Sequence, residues 1–436
     1  MLTKEQKTIL GKLGYYIDFL ASALPSRSVP TFCELLVASM LSADGFVTQS
    51  WIAGKLHNFW GSYHKWLETG RWQTYQVVSR FMQLCCLIIP ETQPLFLAVD
   101  DSLVLRFSEK APGCAIAYQH AHKRNQARYV LGQCFVYLSL ICKRPTDETP
   151  TAIPWLARMA ADGGNTSKLF TAKTMIRFVH KVIRKRLVYL LFDCWYMRGS
   201  VIQFSNKQGY HVIGQCRHDL ALFLPPEPEP KRRGRPRVYG IKLTKERVSR
   251  LPENRVKMHL YGRMRTVYYR SCRCRPRILR GQEVIAVWTE FIHKGKRRKT
   301  RLILSTDTSL DASTILRHYA LRWPVESGFN QIKNLFGIRQ LWQQKRQVLY
   351  RWLNIRLMAY GLLELLTVRA GRIAQGLINQ PWRTEDTITA GMLRTVVREL
   401  VSQFKIRSCC TCKSELFQFT MVANIPETKP STTIAA

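Results

Sequence analysis

Through the first ~93 residues, apolar side chains recur at near-helical spacing: Leu20, Leu24, Phe32, Leu35, Leu36, Met40 and Leu41. Pro25 and Pro30 break the run, and Thr48 is placed to cap a segment Gln49–Phe59. Trp51, Trp60, Trp66 and Trp72 supply an aromatic core. The pattern predicts a helical domain over residues 1–93, either a DNA-binding unit or an ordinary helical one. From Pro94 the texture changes. Leu95–Leu105 (LFLAVDDSLVL), Cys114–Tyr118 and Arg128–Cys142 read as strands. Thr166–Lys185 reads as a helix, Leu187–Phe192 as a strand ending at Asp193, Ser200–Lys207 as a helix and His211–Cys216 as a strand.

Strand, strand, strand, helix, strand, helix, strand is the order of an RNase H-like core, a mixed α/β sheet with helices on its faces. Its first part covers residues 94–224. Pro225, Pro226, Pro228 and Pro230 then alternate with Glu227 and Glu229, the composition of an extended linker. A basic linker and β-rich insertion is expected over 225–300, with strand runs Val267–Tyr269 and Val284–Phe291. Core texture returns over 301–345: a strand Arg301–Ser305, a helix from about Asp311, and a second opened by Pro324. Helices Gln347–Thr367 and Ile388–Phe404 fall within a C-terminal helical region, 346–420. The polar tail, 421–436, reads as disordered.

Charge narrows the partner. Of 436 residues, 67 are Lys or Arg and 29 are Asp or Glu, a formal net charge of +38. Hydrophobic residues make up 46%, too many for a disordered polycation. A folded protein with this excess calls for a polyanion, nucleic acid before membrane. No uncharged apolar stretch approaches the ~20 residues of a spanning helix, so no membrane partner is expected. Asp18 inside the apolar part of the N-terminus argues against a secretory signal. The 13 cysteines are an odd number, mostly isolated in apolar runs (Cys85, Cys86, Cys134, Cys142, Cys194), which fits free thiols in the cytoplasm. Cys272/Cys274 and Cys409–Cys412 lack the paired C-x2-C spacing of a zinc knuckle.

Acids are scarce, so their positions inform. Asp100 and Asp101 interrupt an apolar strand, and Asp193 ends another. Buried carboxylates need a cation or a cavity, although each could simply begin a turn. Strand alternation lets only one of Asp100 and Asp101 face a given side. Further on, Tyr319, Arg322, Glu326 and Lys333 fall within an arc of about 60° on a helical wheel, with Pro324 breaking the helix between them. A phenol, a guanidinium, a carboxylate and an ammonium in a row suit a phosphodiester backbone; an exposed amphipathic face is the plainer alternative.

These residues resemble a known family. Y-(2)-R-(3)-E-(6)-K is the signature of bacterial insertion-sequence DDE transposases of the IS-four type, and Tyr319, Arg322, Glu326 and Lys333 match every spacing. Asp100-Asp101-Ser102 matches the D-x-[ST] motif on the first core strand, and Asp193 the acid that follows a later one. The resemblance spans roughly residues 95–340. One departure is Trp195, where the family often has a small residue.

The resemblance implies a transposase that binds terminal inverted repeats, cleaves phosphodiester bonds and transfers the 3′-OH strand to target DNA. Asp100, Asp193 and Glu326 would be catalytic and hold two Mg²⁺ ions, with Mn²⁺ able to substitute. Asp100 is the first ligand by position relative to Ser102, with Asp101 the alternative. Tyr319, Arg322 and Lys333 would hold phosphates, and Trp323 or Trp288 would stack on a displaced base unless each is core packing. His120, His122, Lys123 and Arg124 either line the DNA path or form a basic loop. Arg233-Gly234-Arg235-Pro236, followed by Arg237, has the core of a minor-groove AT-hook. The partner is double-stranded DNA, transposon ends and target, bound by a dimer in a cytoplasmic, nucleoid-associated setting. Two other readings stay open: a transposase-derived DNA binder without activity, and an RNase H-like nuclease without strand transfer.

Overall fold

The computed structural model describes residues 2–119, 125, 127–144, 148–160, 165–183, 185–227, 236–260, 263–293, 296–297, 300–378 and 387–409. His120, His122, Lys123, Arg124, Arg233, Arg235, Cys410, Cys412 and the tail lie outside them.

Five helices come first: α1 (Lys4–Ala21), α2 (Val29–Leu41), α3 (Val47–Gly54), α4 (Trp60–Thr69) and α5 (Thr74–Cys86). Thr3 opens α1 with a capping box, its hydroxyl accepting from the Gln6 amide while Gln6 returns to the Thr3 amide. The helix expected after Thr48 instead starts at Val47 and stops at Gly54, where Lys55 turns left-handed. Four strands follow: β1 (Leu95–Leu105), β2 (Cys114–Tyr118), β3 (Tyr129–Lys143) and β4 (Pro150–Met159). Next come α6 (Asn165–Val182), β5 (Val188–Phe192), α7 (Gly199–Lys207) and β6 (His211–Cys216). Short β7 (Leu222–Phe223) and α8 (Lys245–Ser249) lead into β8 (Asn254–Leu260), β9 (Arg263–Pro276), β10 (Val284–His293), β11 (Lys296–Arg297) and β12 (Arg301–Ser305). The chain then runs through α9 (Ala312–Ala320), α10 (Pro324–Leu335), α11 (Arg346–Gln375) and α12 (Ala390–Val401).

One mixed sheet joins the strands in the order β2-β3-β1-β5-β6-β12-β10-β9-β7, with β4 on β3, β8 on β9 and β11 on β10. β1 is antiparallel to β3 and parallel to β5, and β5 is parallel to β6. This mixed α/β arrangement is compatible with an RNase H-like fold.

Pro150–Met159 is a strand that the sequence pattern did not predict. Pro150 and Pro154 read as breakers, yet both are tolerated because β4 is an edge strand with an irregularity in its pairing opposite Leu138/Ser139. A buried asparagine completes the edge. Asn354 of α11 accepts from the Ala157 amide at 3.0 Å and donates to the Ala157 carbonyl at 3.2 Å. With β4 in place, Cys114–Tyr118 is an additional strand along one end of β3 rather than one of the three consecutive strands expected.

The sheet separates two apolar clusters, and β1 shows the alternation. Leu97 and Val99 point into the larger cluster, shared with the N-terminal helices and α11. Ala98 points into the smaller one, shared with Ile315 and Leu316 of α9 and Val325 of α10. The turn after α10 is fixed by close backbone approach. Gly337 has φ +59, and a Cβ there would lie 2.1 Å from the Gly45 amide nitrogen, so only glycine fits. Buried Arg356 of α11 donates to the Ser42 carbonyl at 3.0 Å and the Ser50 hydroxyl at 3.2 Å. The N-terminal helices and α11 thereby brace the end of the helix that carries Glu326.

Candidate active site

Strand register brings the first two acids together. Val99 of β1 pairs with Phe192 of β5 in parallel, so Asp100 and Asp193, each the next residue, lie side by side. Both fall on the face of the smaller cluster, to which Ala98 and Leu191 belong. Asp193 begins a turn, accepting from the amides of Trp195 at 3.0 Å and Tyr196 at 3.1 Å. Trp195 is compatible with this turn, since it contributes its backbone there and its ring packs on the larger cluster.

Pro324 opens α10 at its first turn, as expected, and sets Glu326 in that turn. Just before it, Arg322 spans two of the acids. One guanidinium nitrogen lies 2.9 Å from Asp100 Oδ2 and the other 3.0 Å from Glu326 Oε1. Residues more than 200 positions apart thus meet across one guanidinium.

Asp101 points the other way. Its carboxylate accepts from Lys168 Nζ at 2.8 Å, the Tyr196 hydroxyl at 3.0 Å and the Cys134 thiol at 3.3 Å. Lys168 also sits 5.0 Å over the Trp195 ring. Three donors thus hold the Asp101 carboxylate on the face away from Asp100.

Burial and charge also shift the groups on the face of Asp100. Burial and then the charge of Asp193 push Asp100 up to about 7, and Arg322 only partly offsets this. Burial likewise raises Asp193, against the hydrogen bond from the Tyr196 amide and the nearby Arg322. Burial draws Arg322 down, but Tyr319, Asp100 and Glu326 outweigh it, so the guanidinium is held firmly charged. Burial pushes the Tyr319 hydroxyl up to about 12, with Arg322 opposing, so it stays neutral.

The donor set suits a hard divalent cation: carboxylates only, two of them half-buried and under-neutralised. Among the described residues, no three Asp, Glu, His or Cys side chains are gathered closely enough to hold a metal as they stand. Arg322 occupies the space between Asp100 and Glu326 and serves there as the cation.

A family model described as DDE superfamily endonuclease matches residues 23–273. The chain belongs to that family. No curated protein matches it. For a DDE superfamily endonuclease the substrate is DNA and the chemistry generally uses divalent metal. The match includes Asp100 and Asp193 and stops before Glu326. Among the described residues of this DDE endonuclease, no helix is long and apolar enough to cross a membrane.

The remaining candidates are spread more widely. Trp323 is 43% exposed, so it is not core packing, whereas Trp288 packs against the larger cluster. Trp323, Tyr319, Arg322 and Glu326 line a cleft of about 320 Å³ whose far wall is Met258, Val267 and Phe291 of the β8–β10 region. Lys333 is half-buried further along α10, where burial and then Arg339 lower its pKa. Arg237 is exposed. Lys168, Tyr196 and Cys134, which settle the orientation of Asp101, carried no signal in the sequence, because their relation to it is purely spatial.

Proposed function

We propose that this DDE endonuclease is an insertion-sequence transposase of the IS-four type, cutting DNA at transposon ends and joining the 3′-OH to a target. The observation that carries the reading is the shared guanidinium: Arg322 joins Asp100 and Glu326 while Asp193 adjoins Asp100. Asp100, Asp193 and Glu326 would hold two Mg²⁺, with Mn²⁺ an acceptable substitute. The ions would stabilise the attacking and departing oxygens of the phosphodiester.

This chain's own residues do the rest. Arg322 keeps the carboxylates from repelling one another and, when released from them, is placed to hold a phosphate. Tyr319 stays a neutral donor at any physiological pH, beside it. Lys333 adds positive charge one helical stretch further on. Trp323, exposed at the mouth of the apolar cleft, offers a ring on which a base next to the cut can stack. The β8–β11 segment would be the insertion into an RNase H-like core, with β12 the returning core strand, and Arg233, Arg235 and Arg237 would add contacts to the groove or backbone. Both ends require cutting in one complex, which calls for a dimer on DNA.

The family description, an endonuclease, fits equally a nuclease that cuts without joining. Paired transposon ends with Mg²⁺, incubated with wild type, Asp193→Ala and Glu326→Ala, discriminate the readings. Cleavage followed by a joined product in wild type alone is the expected result. Cleavage without joining leaves the nuclease; binding without cleavage leaves an inactive DNA binder; normal cleavage by either variant removes these acids from the site.

A further inference from the structure

A second cleft, of about 620 Å³, opens where α5, the end of β4 and the start of α11 meet. Three arginines line it, Arg158 of β4 with Arg346 and Arg351 of α11, and no Asp or Glu does. Arg351 is spent on the carbonyls of Leu67, Gly70 and Trp72. Among the described residues neither Arg158 nor Arg346 is paired with a carboxylate; Arg158 stacks 5.7 Å over the Tyr75 ring. The rings of Tyr75 and Tyr350 also line the cleft, while their hydroxyl oxygens are buried away from it beside one another. Gln73, Thr74 and Gln347 complete the polar lining.

Two arginines without an acid partner, Arg158 and Arg346, face an open cavity whose lining holds no acid. Guanidinium groups match the oxygens of a phosphate, and the tyrosine rings would accommodate a flat group attached to it.

Position sets the cleft apart from the acids. Arg158 is in register with Val136 and Val136 with Asp101, so its side chain lies on the face of the sheet opposite Asp100 and Asp193.

We propose that this cleft is a phosphate-binding site, distinct from the carboxylate cluster, that takes a phosphate group of nucleic acid. The cleft would anchor the strand being processed at a point away from the reacting bond. It rests only on the DNA substrate of the family, not on strand transfer.

The test uses the full-length protein carrying Asp193→Asn, so that no cleavage intervenes, and three probes: inorganic phosphate, a 5′-phosphorylated dinucleotide and a 30-base-pair duplex. Arg158→Ala, Arg346→Ala and Tyr350→Phe are compared with that parent by titration calorimetry and salt-dependent anisotropy. Each arginine variant is expected to weaken duplex binding about tenfold and reduce the salt slope by about one. Tyr350→Phe, which keeps the ring and removes a hydroxyl buried away from the cleft, is expected to leave affinity and salt slope unchanged; a loss like that of the arginine variants would count against a guanidinium-held phosphate. If the dinucleotide or phosphate binds the parent and loses affinity in the same variants, the site also accepts free phosphate. If only the duplex responds, the source is the DNA backbone. Unchanged duplex affinity and salt slope in both Arg158→Ala and Arg346→Ala, the latter at an exposed helix start, would overturn the proposal. Loss of duplex binding by the Asp193→Asn parent itself would instead count against the DNA-acting reading.

Discussion

Two of the acid–arginine clusters among the described residues are built to opposite specifications. Glu364 of α11 is wholly buried, and every direction around its carboxylate is used. Arg144 donates at 3.1 Å, Thr151 at 2.8 Å and Tyr360 at 2.8 Å, with Thr367 close by at 3.3 Å. One acid meets one guanidinium, and hydroxyls fill the remainder. In the other cluster a single guanidinium serves Asp100 and Glu326, Asp193 adds a further negative charge, and the group opens onto a cleft. The first arrangement fastens β4 to α11. The second is short of positive charge and left accessible, which is the state expected of carboxylates that await a cation.

The sharpest way to break the contrast is to remove Glu364. Arg144 is then a buried, unpaired charge, so Glu364→Ala is expected to lower stability by about 3–5 kcal/mol in denaturant unfolding. A loss below about 1 kcal/mol would mean that the saturated cluster is no more structural than the open one.

In the open cluster the sign reverses at Asp100. Its folded pKa of about 7 lies well above the unfolded carboxyl range, so between roughly pH 4 and 7 the folded state binds the extra proton. Its ionisation therefore costs stability as pH rises through that window. Asp100→Asn is expected to stabilise the metal-free protein by on the order of 2 kcal/mol at pH 8 and by nothing at pH 4. A variant less stable at pH 8 would show that Arg322 neutralises the group fully.

The smallest effect is at Arg322 itself. Arg322→Ala leaves three carboxylates without their shared partner, and a drop of about 1–2 kcal/mol is expected at pH 8. Millimolar Mn²⁺ should restore the melting temperature of this variant more than it raises that of wild type. An equal response in both would show that Arg322 and the metal do not compete for the same carboxylates.

The sequence made some of this legible for clear reasons. The strands β1, β5, β6 and β12 are short apolar runs bounded by polar residues, so their limits follow from local composition. Alternation alone required that Asp100 and Asp101 part company. Other features depend on contacts that no local pattern encodes. The β4 edge strand, absent from the elements expected of the sequence, is completed by Asn354, almost 200 residues away. Arg322 matched a phosphate-binding motif, and nothing in its neighbourhood showed that two carboxylates would claim it first. The second cleft draws on residues near positions 75, 158 and 350, three regions with no common signature.

Asn354 has a consequence beyond stability. An unfinished sheet margin invites another polypeptide to add itself as the next strand, and this is a common route by which copies of one protein stick together. At β4 the invitation is withdrawn, because an amide side chain already answers the Ala157 backbone and a long helix lies along the strand. Copies crowded onto one nucleic acid cannot merge there without unseating that helix.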